Sequence, residues 1–378
     1  MARVVEVSGY VAGEGRAFFG DPWYAGQDHH NVSVAAQPTF YQRWGNGASV
    51  TFTPFGRLDS ADPERTHADV RELNYFYPQA EFEVRVGIGR VFWGATEFVH
   101  LVDVINQTDL IEHIDGEDKL GQPLLQFALL RPWGRLECII MPCFRERTFP
   151  GPQGRLRPAI PIDPERVIYE SPDGQHRWDF AVRYSRSIGS CDLGIYLFNG
   201  TDREPLLFPT TNSRGQTVLG SFYQETEQIG MDVQWAKGNW LWKLEALYKQ
   251  GYFDGYLATT GGVEYTLVNA GGSGADLGLV MEYAYDERGE QATTPYKRDA
   301  MVGLRWSPND AAMTQFLLGW IQDVDDSSKV AVLEASRRLG THWRLSLDVW
   351  AFMDVPPENR YYGLQGDDFA RLELAYYF

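Results

Sequence analysis

The last ten residues, Phe369-Ala-Arg-Leu-Glu-Leu-Ala-Tyr-Tyr-Phe378, alternate between two kinds of side chain. The alternate positions from Ala370 to Phe378 hold Ala, Leu, Leu, Tyr and Phe, whereas the positions between them include Arg371 and Glu373. A period of two residues places successive side chains on opposite faces of a β-strand. The segment is therefore predicted to be a strand with one apolar face and one mixed face, and it ends on an aromatic residue.

The same alternation recurs along the whole chain. Clear examples are the segments 5–12, 81–88, 177–184, 242–249, 277–284, 300–306 and 343–351. The connections alternate in length, and the short ones are rich in tight-turn residues. These short connections are 44–47, 77–80, 132–134, 187–190, 236–239, 269–274, 307–310 and 340–342. With longer polar segments between them, this scheme predicts about 18 strands, with both chain termini at the end of the short turns.

The composition of the 378 residues narrows the class of protein. There are 34 Lys and Arg against 51 Asp and Glu, so the net charge of −17 argues against binding to nucleic acid or to acidic lipid through a basic surface. Aromatic residues make up 14% of the chain, which argues against disorder. No apolar run approaches the ~18–20 residues that a membrane-spanning helix needs.

The cysteines and the N-terminus carry less information. Cys138, Cys143 and Cys191 have no Cys-x-x-Cys or Cys/His spacing, so we interpret them as small packing residues and predict no metal site from them. Residues 1–7 contain no apolar stretch of the kind found in a signal peptide. Together with the strand pattern, this favours a mature chain, without its signal peptide, over a cytosolic protein.

The strand pattern resembles a known class of membrane protein. Short turns at one end, longer loops at the other, an apolar outer face and a polar lumen are the layout of a Gram-negative outer-membrane β-barrel of porin type. The terminal Leu372-x-Leu374-x-Tyr376-x-Phe378 is similar to the C-terminal strand by which that superfamily is recognised during assembly. The resemblance covers nearly the whole chain and rests on pattern, not on a unique motif.

This resemblance implies a fold, a location and a function. It implies an all-β protein, a transmembrane antiparallel β-barrel of about 18 strands, as one domain over residues 1–378. The barrel would lie in the outer membrane as a channel for diffusion or selective passage of small polar or anionic solutes. Its expected partners are outer-membrane lipid, lipopolysaccharide, a small solute and the barrel-assembly machinery, which would contact Phe378. No nucleic acid is expected, and the barrel would be a monomer or a trimer.

Other interpretations stay open at this stage. The strand count and an arginine-bearing loop are also similar to barrels that export acidic polysaccharide such as alginate. A closed barrel with a binding or lipid-modifying role is a further alternative. A soluble propeller should show a repeat of 40–50 residues, and none is found. No Gly-x-Ser-x-Gly motif occurs and the seven His are scattered, so we expect no enzymatic activity.

The long loop 93–121 is too apolar for an external loop. Phe98, Leu101, Val102 and Ile105 recur at helical spacing, which predicts a short helix folded into the barrel mouth. There it would narrow the pore, with polar side chains facing the solute. The predicted constriction residues are Glu97, His100, Asp103 and Asn106. The alternative is that the loop packs on the inner wall and selects nothing.

Charged residues of both signs alternate onto the predicted inner face of the wall. They are expected to brace the wall and to create a transverse field, without determining a selectivity. The lumen-facing set comprises Arg85, Arg177, Asp179, Arg183, Glu282, Arg305, Arg344, Asp348, Arg371 and Glu373.

A second long loop, 146–174, is rich in proline and locally basic. Its arginines could recruit carboxylate, sulfate or phosphate groups through bidentate contacts. This predicted anion-recruiting set is Arg145, Arg147, Arg155, Arg157 and Arg166. The alternatives are contact with anionic lipopolysaccharide or simple hydration.

Other predicted loops carry acidic stretches, at 59–64, 115–118, 323–326 and 366–368. Clustered carboxylates could hold Ca²⁺, but 323–326 lacks the spacing of a calcium loop. Hydration, or divalent bridging to lipopolysaccharide, is the favoured interpretation. No other cofactor is expected.

Overall fold

A closed ring of eighteen antiparallel strands forms the wall of the molecule. The computed structural model describes residues 4–251, 254–294 and 296–378, and within them each wall strand pairs with the wall strands before and after it. The ring closes because β1 (Val4–Phe18) pairs with β21 (Phe369–Tyr377), with Tyr10 opposite Tyr377. The predicted barrel of about 18 strands is confirmed.

The other wall strands follow one another along the chain, and three further strands lie outside the wall. The wall strands are β2 (His30–Arg43), β3 (Ser49–Asp59), β4 (His67–Pro78), β5 (Phe82–Gly89), β6 (Gln122–Arg131), β7 (Gly134–Met141), β9 (Asp179–Ile188), β10 (Cys191–Thr201), β13 (Glu225–Lys237), β14 (Trp240–Gln250), β15 (Tyr256–Leu267), β16 (Asp276–Asp286), β17 (Arg298–Ser307), β18 (Gln315–Asp323), β19 (Lys329–Leu339) and β20 (Trp343–Met353). The strands outside the wall are β8 (Ile162–Tyr169), β11 (Leu206–Thr211) and β12 (Thr217–Tyr223).

The connections alternate in length as predicted. All eight predicted short turns join neighbouring wall strands, the tightest being the two residues between β6 and β7, between β9 and β10, and between β13 and β14. The long loops all open at the opposite rim. Val4 pairs with Arg43, just before a short turn, so the first strand starts at the short-turn rim, where the last strand ends.

Alternation along each strand separates an apolar outer face from a packed or polar inner face. On β17, Val302 and Leu304 are 45% and 42% exposed on the outside, whereas Met301 between β16 and β18 is 1% exposed on the inside. Apolar side chains left exposed on every strand form a continuous belt, and lipid is the solvent that covers such a belt favourably.

Aromatic side chains edge this belt at the short-turn rim. Trp240 packs on Tyr265 with ring centroids 4.6 Å apart, and Trp343 packs on Tyr376 at 5.0 Å. Trp and Tyr are amphipathic and collect where hydrocarbon meets the polar head groups. The row therefore marks one membrane–water boundary, as the aromatic girdles of outer-membrane barrels do.

The interior of the barrel is partly filled by the segment between β5 and β6, residues 90–121, which we call the inner loop. Val102 and Ile105 are fully buried against Ile139, Met141 and other residues of the wall. A second apolar cluster on the opposite side joins Val99 to wall residues of β17–β21 and to the loop before β21. The inward folding predicted for this segment is thus observed.

The predicted helix in this segment is wrong. Residues 93–121 form turns, bends and two isolated bridges, Thr108 with Lys119 and Asp109 with Thr148. Wall carboxylates accept the backbone N–H groups of residues 95–98 and of Val102, so bonds to the wall take the place of local i to i−4 bonds. The apolar residues that suggested one helical face divide between the two clusters on opposite sides.

The three strands outside the wall form a small sheet among the long loops. β11 and β12 are an antiparallel hairpin, and β12 pairs in parallel with β8. The proline-rich loop 146–174 therefore contributes one strand, β8, to this sheet. No helix within the described residues is both long enough and apolar enough to span a membrane.

The two faces of β18 allow a test of the lipid-facing belt. Leu318 is 52% exposed on the outside, whereas its neighbour Leu317 lines an interior cavity opposite Glu334. We expect Leu318→Arg to lower the free energy of unfolding by about 2–4 kcal/mol, the cost of a lipid-facing arginine near the midplane. Leu317→Arg should cost clearly less, because its charge meets water and a carboxylate. Urea titration in phosphatidylcholine vesicles measures both values, and equal losses would contradict this assignment of faces.

Candidate functional site

The inner loop is held to the wall by buried carboxylates. Glu245 of β14 is fully buried and accepts hydrogen bonds from the backbone N–H of Ala95 at 2.6 Å, of Thr96 at 3.0 Å and of Val102 at 3.2 Å. The Thr96 hydroxyl donates a fourth at 2.7 Å. An ionised acceptor that satisfies several backbone donors in a buried site makes strong contacts. One wall residue therefore fixes the shape of the loop over eight positions.

A second carboxylate continues this attachment on β16. Glu282 accepts the backbone N–H groups of Glu97 at 2.8 Å and Phe98 at 3.0 Å. The Phe98 ring then rests on Gly303 and Gly319, which lie opposite each other on β17 and β18. A Cβ at either glycine would lie 3.2 Å from the ring, a tight contact that the ring could relieve only by moving away from the wall, so glycine at both positions favours this close packing.

The far end of the inner loop is bound by arginines of β1, β3 and the segment before β4. The Glu112 carboxylate pairs with Arg57, whose Nη2 lies 2.8 Å away, and with His67, whose Nε2 also lies 2.8 Å away. Arg16 donates to the Glu112 carbonyl at 2.6 Å, and Arg65 donates to the Ile111 carbonyl at 2.8 Å. These groups are almost fully buried, so their charges act through little intervening water.

The charge environment shifts the pKa of Glu112. Burial raises the pKa, but the hydrogen bond from His67 and the positive charges of Arg57 and Arg65 outweigh burial and lower it to about 2. The carboxylate is therefore ionised throughout the physiological range, and its ionised form is what binds the loop to the wall.

Three adjoining cavities lie beside the inner loop. The outer vestibule, about 760 Å³, lies among the long loops and includes His67, Arg145 and Arg147 in its lining. The upper cavity, about 180 Å³, shares Arg147 with it and also touches Lys119 and Lys249. The lower cavity, about 420 Å³, lies at mid-barrel. It shares five lining residues with the upper cavity: Phe98, His100, Asp115, Glu117 and Tyr296.

The predicted constriction residues have unequal positions. Glu97 lines the lower cavity and pairs with Arg305 and, at 3.5 Å, with Lys243. His100 borders both the upper and the lower cavity, and its Nε2 lies 2.9 Å from Glu117 Oε1. Burial lowers the pKa of His100, but the contacts with Glu117 and nearby carboxylates outweigh it, so the net shift is upward.

The other two predicted constriction residues serve the loop itself. Asp103 is almost fully buried, and its Oδ2 lies 3.2 Å from Lys119 Nζ. Asn106 is 1% exposed, and its amide donates to the Gly89 and Leu120 carbonyls and accepts from the Val91 N–H. Both residues also line the upper cavity, but every polar atom of the Asn106 side chain is already bonded within the protein, so its contact with a solute stays a prediction.

The charged residues predicted to face the lumen lie on the inner face of a strand, except Arg177, which lies just before β9. Arg371 pairs with Asp348 at 2.6 Å, and Arg183 pairs with Asp232 at 2.7 Å. The other charged inner positions make these contacts: Arg305 with Glu264, Arg85 with the Arg90 carbonyl, Arg344 with Ser336, and Arg177 with Asp179. Glu373 lies beside Arg371 on β21 and makes no ion pair among the residues that the structure describes.

Two of these inner residues are withdrawn from the lumen. Asp179 is fully buried between Arg177 and Arg203, and Arg203 also donates to the Ile105 carbonyl of the inner loop. Glu282 is occupied by the loop backbone, as described above. Both residues hold the loop and wall together and do not present a free charge to a solute.

The five arginines of the predicted anion-recruiting set do not form one site. Arg155 is buried, pairs with Asp367 at 2.5 Å and lies over the Phe18 ring. Arg157 is buried and donates to the carbonyls of Pro158 and Ala159. The prediction that Arg155 and Arg157 recruit anions is therefore corrected, because their guanidinium groups are already bound within the protein.

The remaining three arginines are closer to water. Arg145 and Arg147 line the outer vestibule, Arg145 being paired with Asp69 at 2.8 Å. Arg166 lies 4.0 Å from Asp163 on β8. Any recruitment of anions by this loop therefore remains a prediction for Arg145 and Arg147 at the vestibule.

The acidic stretches considered for Ca²⁺ contact cations of the protein. Asp59 pairs with Arg65 at 2.6 Å, and Asp323 and Asp326 both lie within 3.6 Å of Lys297. In the part of the chain that the structure describes, no group of three or more His, Cys, Asp or Glu side chains is placed to hold a metal ion.

Several cavity-lining residues were missed by sequence reasoning. Asp115, Glu117 and Lys119 lie in the irregular inner loop, and Arg288 and Tyr296 lie in the loop between β16 and β17. A turn has no period, so alternation along strands carries no signal for such positions. Only the abundance of polar residues in these loops hinted at a role.

Solved structures share this architecture. A BenF-like porin from Pseudomonas fluorescens Pf-5 matches with a TM-score of 0.57, covering 100% of this chain and 98% of that one at 9% identity. The chain has the fold of a porin barrel. A variant of the Rh. blastica porin matches 99% of the chain at 10% identity, with a TM-score of 0.49. No protein-family model matches the sequence, and no curated protein of similar sequence was found.

Removal of the Glu245 carboxylate should release the inner loop of this porin barrel. Each hydrogen bond to a charged acceptor contributes about 1.5–3 kcal/mol, and Glu245→Ala removes four. We expect larger and noisier single-channel currents from a barrel that still folds, as shown by its heat-modifiable migration on gels. Glu6→Ala, at the start of β1 near the short-turn rim, is the matched control. Unchanged currents from folded Glu245→Ala would rule out this attachment.

The Glu112 attachment should depend on pH. Because the pKa of Glu112 is lowered to about 2 from an unfolded value near 4.5, its contribution is present above about pH 4.5 and is lost as the pH falls towards 2. We expect hydrogen exchange in residues 109–113, corrected for intrinsic rates, to accelerate over that window. Glu112→Gln should exchange faster at neutral pH and lose this part of the pH dependence. An identical profile in the variant would show that another group controls the loop.

Proposed function

We propose that the protein is a channel in the outer membrane of a Gram-negative bacterium, through which small polar solutes diffuse. The observation that carries this proposal is the series of three adjoining cavities inside a closed barrel, beside an inward-folded loop. The exposed apolar belt and the aromatic row at the short-turn rim support a lipid environment. The likeness to porin structures supports the same conclusion at the level of the fold.

Transport through such a barrel needs no chemical step, and the proposal assigns none. The inner loop narrows the passage, because its backbone is bound to the wall on several sides. A solute that passes must fit between the loop and β18–β21, where the lower cavity lies. Wall charges then act on the solute over a short distance through a medium of reduced dielectric.

The alternatives are less well supported. The lower cavity carries five carboxylates, which would repel an acidic polysaccharide on its way out. A closed barrel with a packed interior does not fit three cavities that share lining residues. The export and closed-barrel interpretations are therefore not favoured.

The partners proposed for this channel follow from its surfaces. Outer-membrane lipid would cover the apolar belt, and lipopolysaccharide would meet the loop-bearing rim. The Phe378 N–H and C=O bond with Gly9 at 3.1 Å each, so the terminal residue takes part in closing the barrel. This supports a role for the last strand in assembly. The apolar belt could face lipid or a second copy of the chain. Measuring the mass of the detergent-solubilised protein would distinguish a monomer from a trimer.

Planar-bilayer recording with cysteine labelling tests the channel. In a background in which Cys138, Cys143 and Cys191 are changed to Ser, we expect stepwise conductance. A charged methanethiosulfonate reagent should reduce it when Leu317→Cys places a thiol in the lower cavity. Leu318→Cys, the next residue on the outer face, is the matched control and should not respond. Folded protein without stepwise conductance, or equal responses from the two variants, would contradict a passage through this cavity.

A further inference from the structure

The lining of the lower cavity combines two kinds of side chain. Five are carboxylates from the inner loop and from β19 and β20, which we call the acidic wall: Glu97, Asp115, Glu117, Glu334 and Asp348. Beside them lie apolar and aromatic side chains, Phe98, Leu317, Ile321, Val332 and Trp350. A cavity of about 420 Å³ lined by both kinds suits a solute that has a charged end and an apolar body.

The acidic wall is only partly neutralised. Glu97 pairs with Arg305 and, at 3.5 Å, with Lys243. Among the described residues, Arg371 is the one guanidinium in the lining of the lower cavity, and it is bound to Asp348 at 2.6 Å. Within the described residues, the ion-pair partners of Asp115 and Glu117 are imidazoles, those of His113 at 2.7 Å and His100 at 2.9 Å. A narrow passage with an excess of one charge concentrates ions of the opposite sign.

Glu334 stands apart from the other carboxylates. It has no ion-pair partner within residues 4–251, 254–294 and 296–378, and the register of β19 and β20 sets it opposite Asp348. Two carboxylates facing each other across a strand pair repel one another, and Arg371 compensates only the second of them. A cation in the lower cavity beside Glu334 would relieve this repulsion.

An independent feature points to a ligand in the same cavity. Trp350 is 5% exposed, lines the lower cavity, and its indole nitrogen has no hydrogen-bond partner. The ring packs edge-on against His113, with ring centroids 5.8 Å apart. A buried donor without an acceptor is unfavourable, and an oxygen atom on a solute would satisfy it.

We propose that the lower cavity is a selectivity site for small organic cations, namely primary amines that also carry a hydroxyl oxygen. The ammonium group would lie between Glu334 and Asp348, the oxygen would accept from Trp350, and the carbon chain would lie along Phe98 and Ile321. This deepens the proposed function and rests on it. A carboxylate on the solute is disfavoured, because the lining already carries excess negative charge.

Bilayer recording with 3-amino-1-propanol hydrochloride tests this site. In a KCl gradient, the native channel should pass K⁺ over Cl⁻ by roughly tenfold. Added aminopropanol should block the K⁺ current reversibly, whereas neutral 1,3-propanediol should not. Glu334→Gln should raise the half-blocking concentration by about tenfold, since one charged contact is lost. Trp350→Phe keeps the ring and removes the N–H, and should also weaken the block.

The controls separate this proposal from the proposed function. Asp21→Asn changes charge equally at a carboxylate in the exposed loop after β1, and should leave selectivity and block unchanged. Conductance without cation preference, or preference for K⁺ without block by aminopropanol, overturns the cation site and leaves the channel intact. Block that is unchanged in both Glu334→Gln and Trp350→Phe also overturns it. Absence of conductance from folded protein overturns the channel, and the site with it.

Discussion

A sheet covered by lipid has no water to satisfy its backbone, so every N–H and C=O of the wall must find a partner within the protein. The pairing of β1 with β21 meets this constraint by leaving no open edge. Because the ring is closed, one face of each strand must meet lipid and the other must enclose the interior. The long loops, the cavities and the inner charges all take their places from this geometry.

The closed wall surrounds an interior space, and the inner loop fills part of it. The loop packs apolar residues against the wall on two sides and donates hydrogen bonds to buried wall carboxylates such as Glu245 and Glu282. Burying a charged group is costly unless it is fully hydrogen-bonded. Here the backbone donors of the loop supply those bonds. Loop and wall therefore stabilise each other, and the unfilled remainder becomes the three cavities.

Sequence reasoning succeeded for the wall and failed for parts of the interior. Alternation identified the outward Val302 and the inward Arg371, because the period of a strand depends only on local geometry. The helix expected in residues 93–121 did not form, since distant carboxylates took its backbone donors. Arg155 and Arg157 were expected to meet a solute, but Arg155 pairs with the distant Asp367, and Arg157 donates to the carbonyl of Pro158 and lies over the ring of the distant Tyr24.

By itself, the sequence determined the strand count, the alternation of short turns with long loops, and which face of each strand is apolar. These features follow from local periodicity and turn chemistry, which act over a few residues. Only the tertiary structure decided which charged side chains are paired within the protein and which are free to meet a solute. That the acidic wall and Trp350 meet in one cavity depends on contacts between the inner loop and strands more than two hundred residues away, such as Glu97 with Arg305 at a separation of 208. Such contacts have no signature in the order of residues.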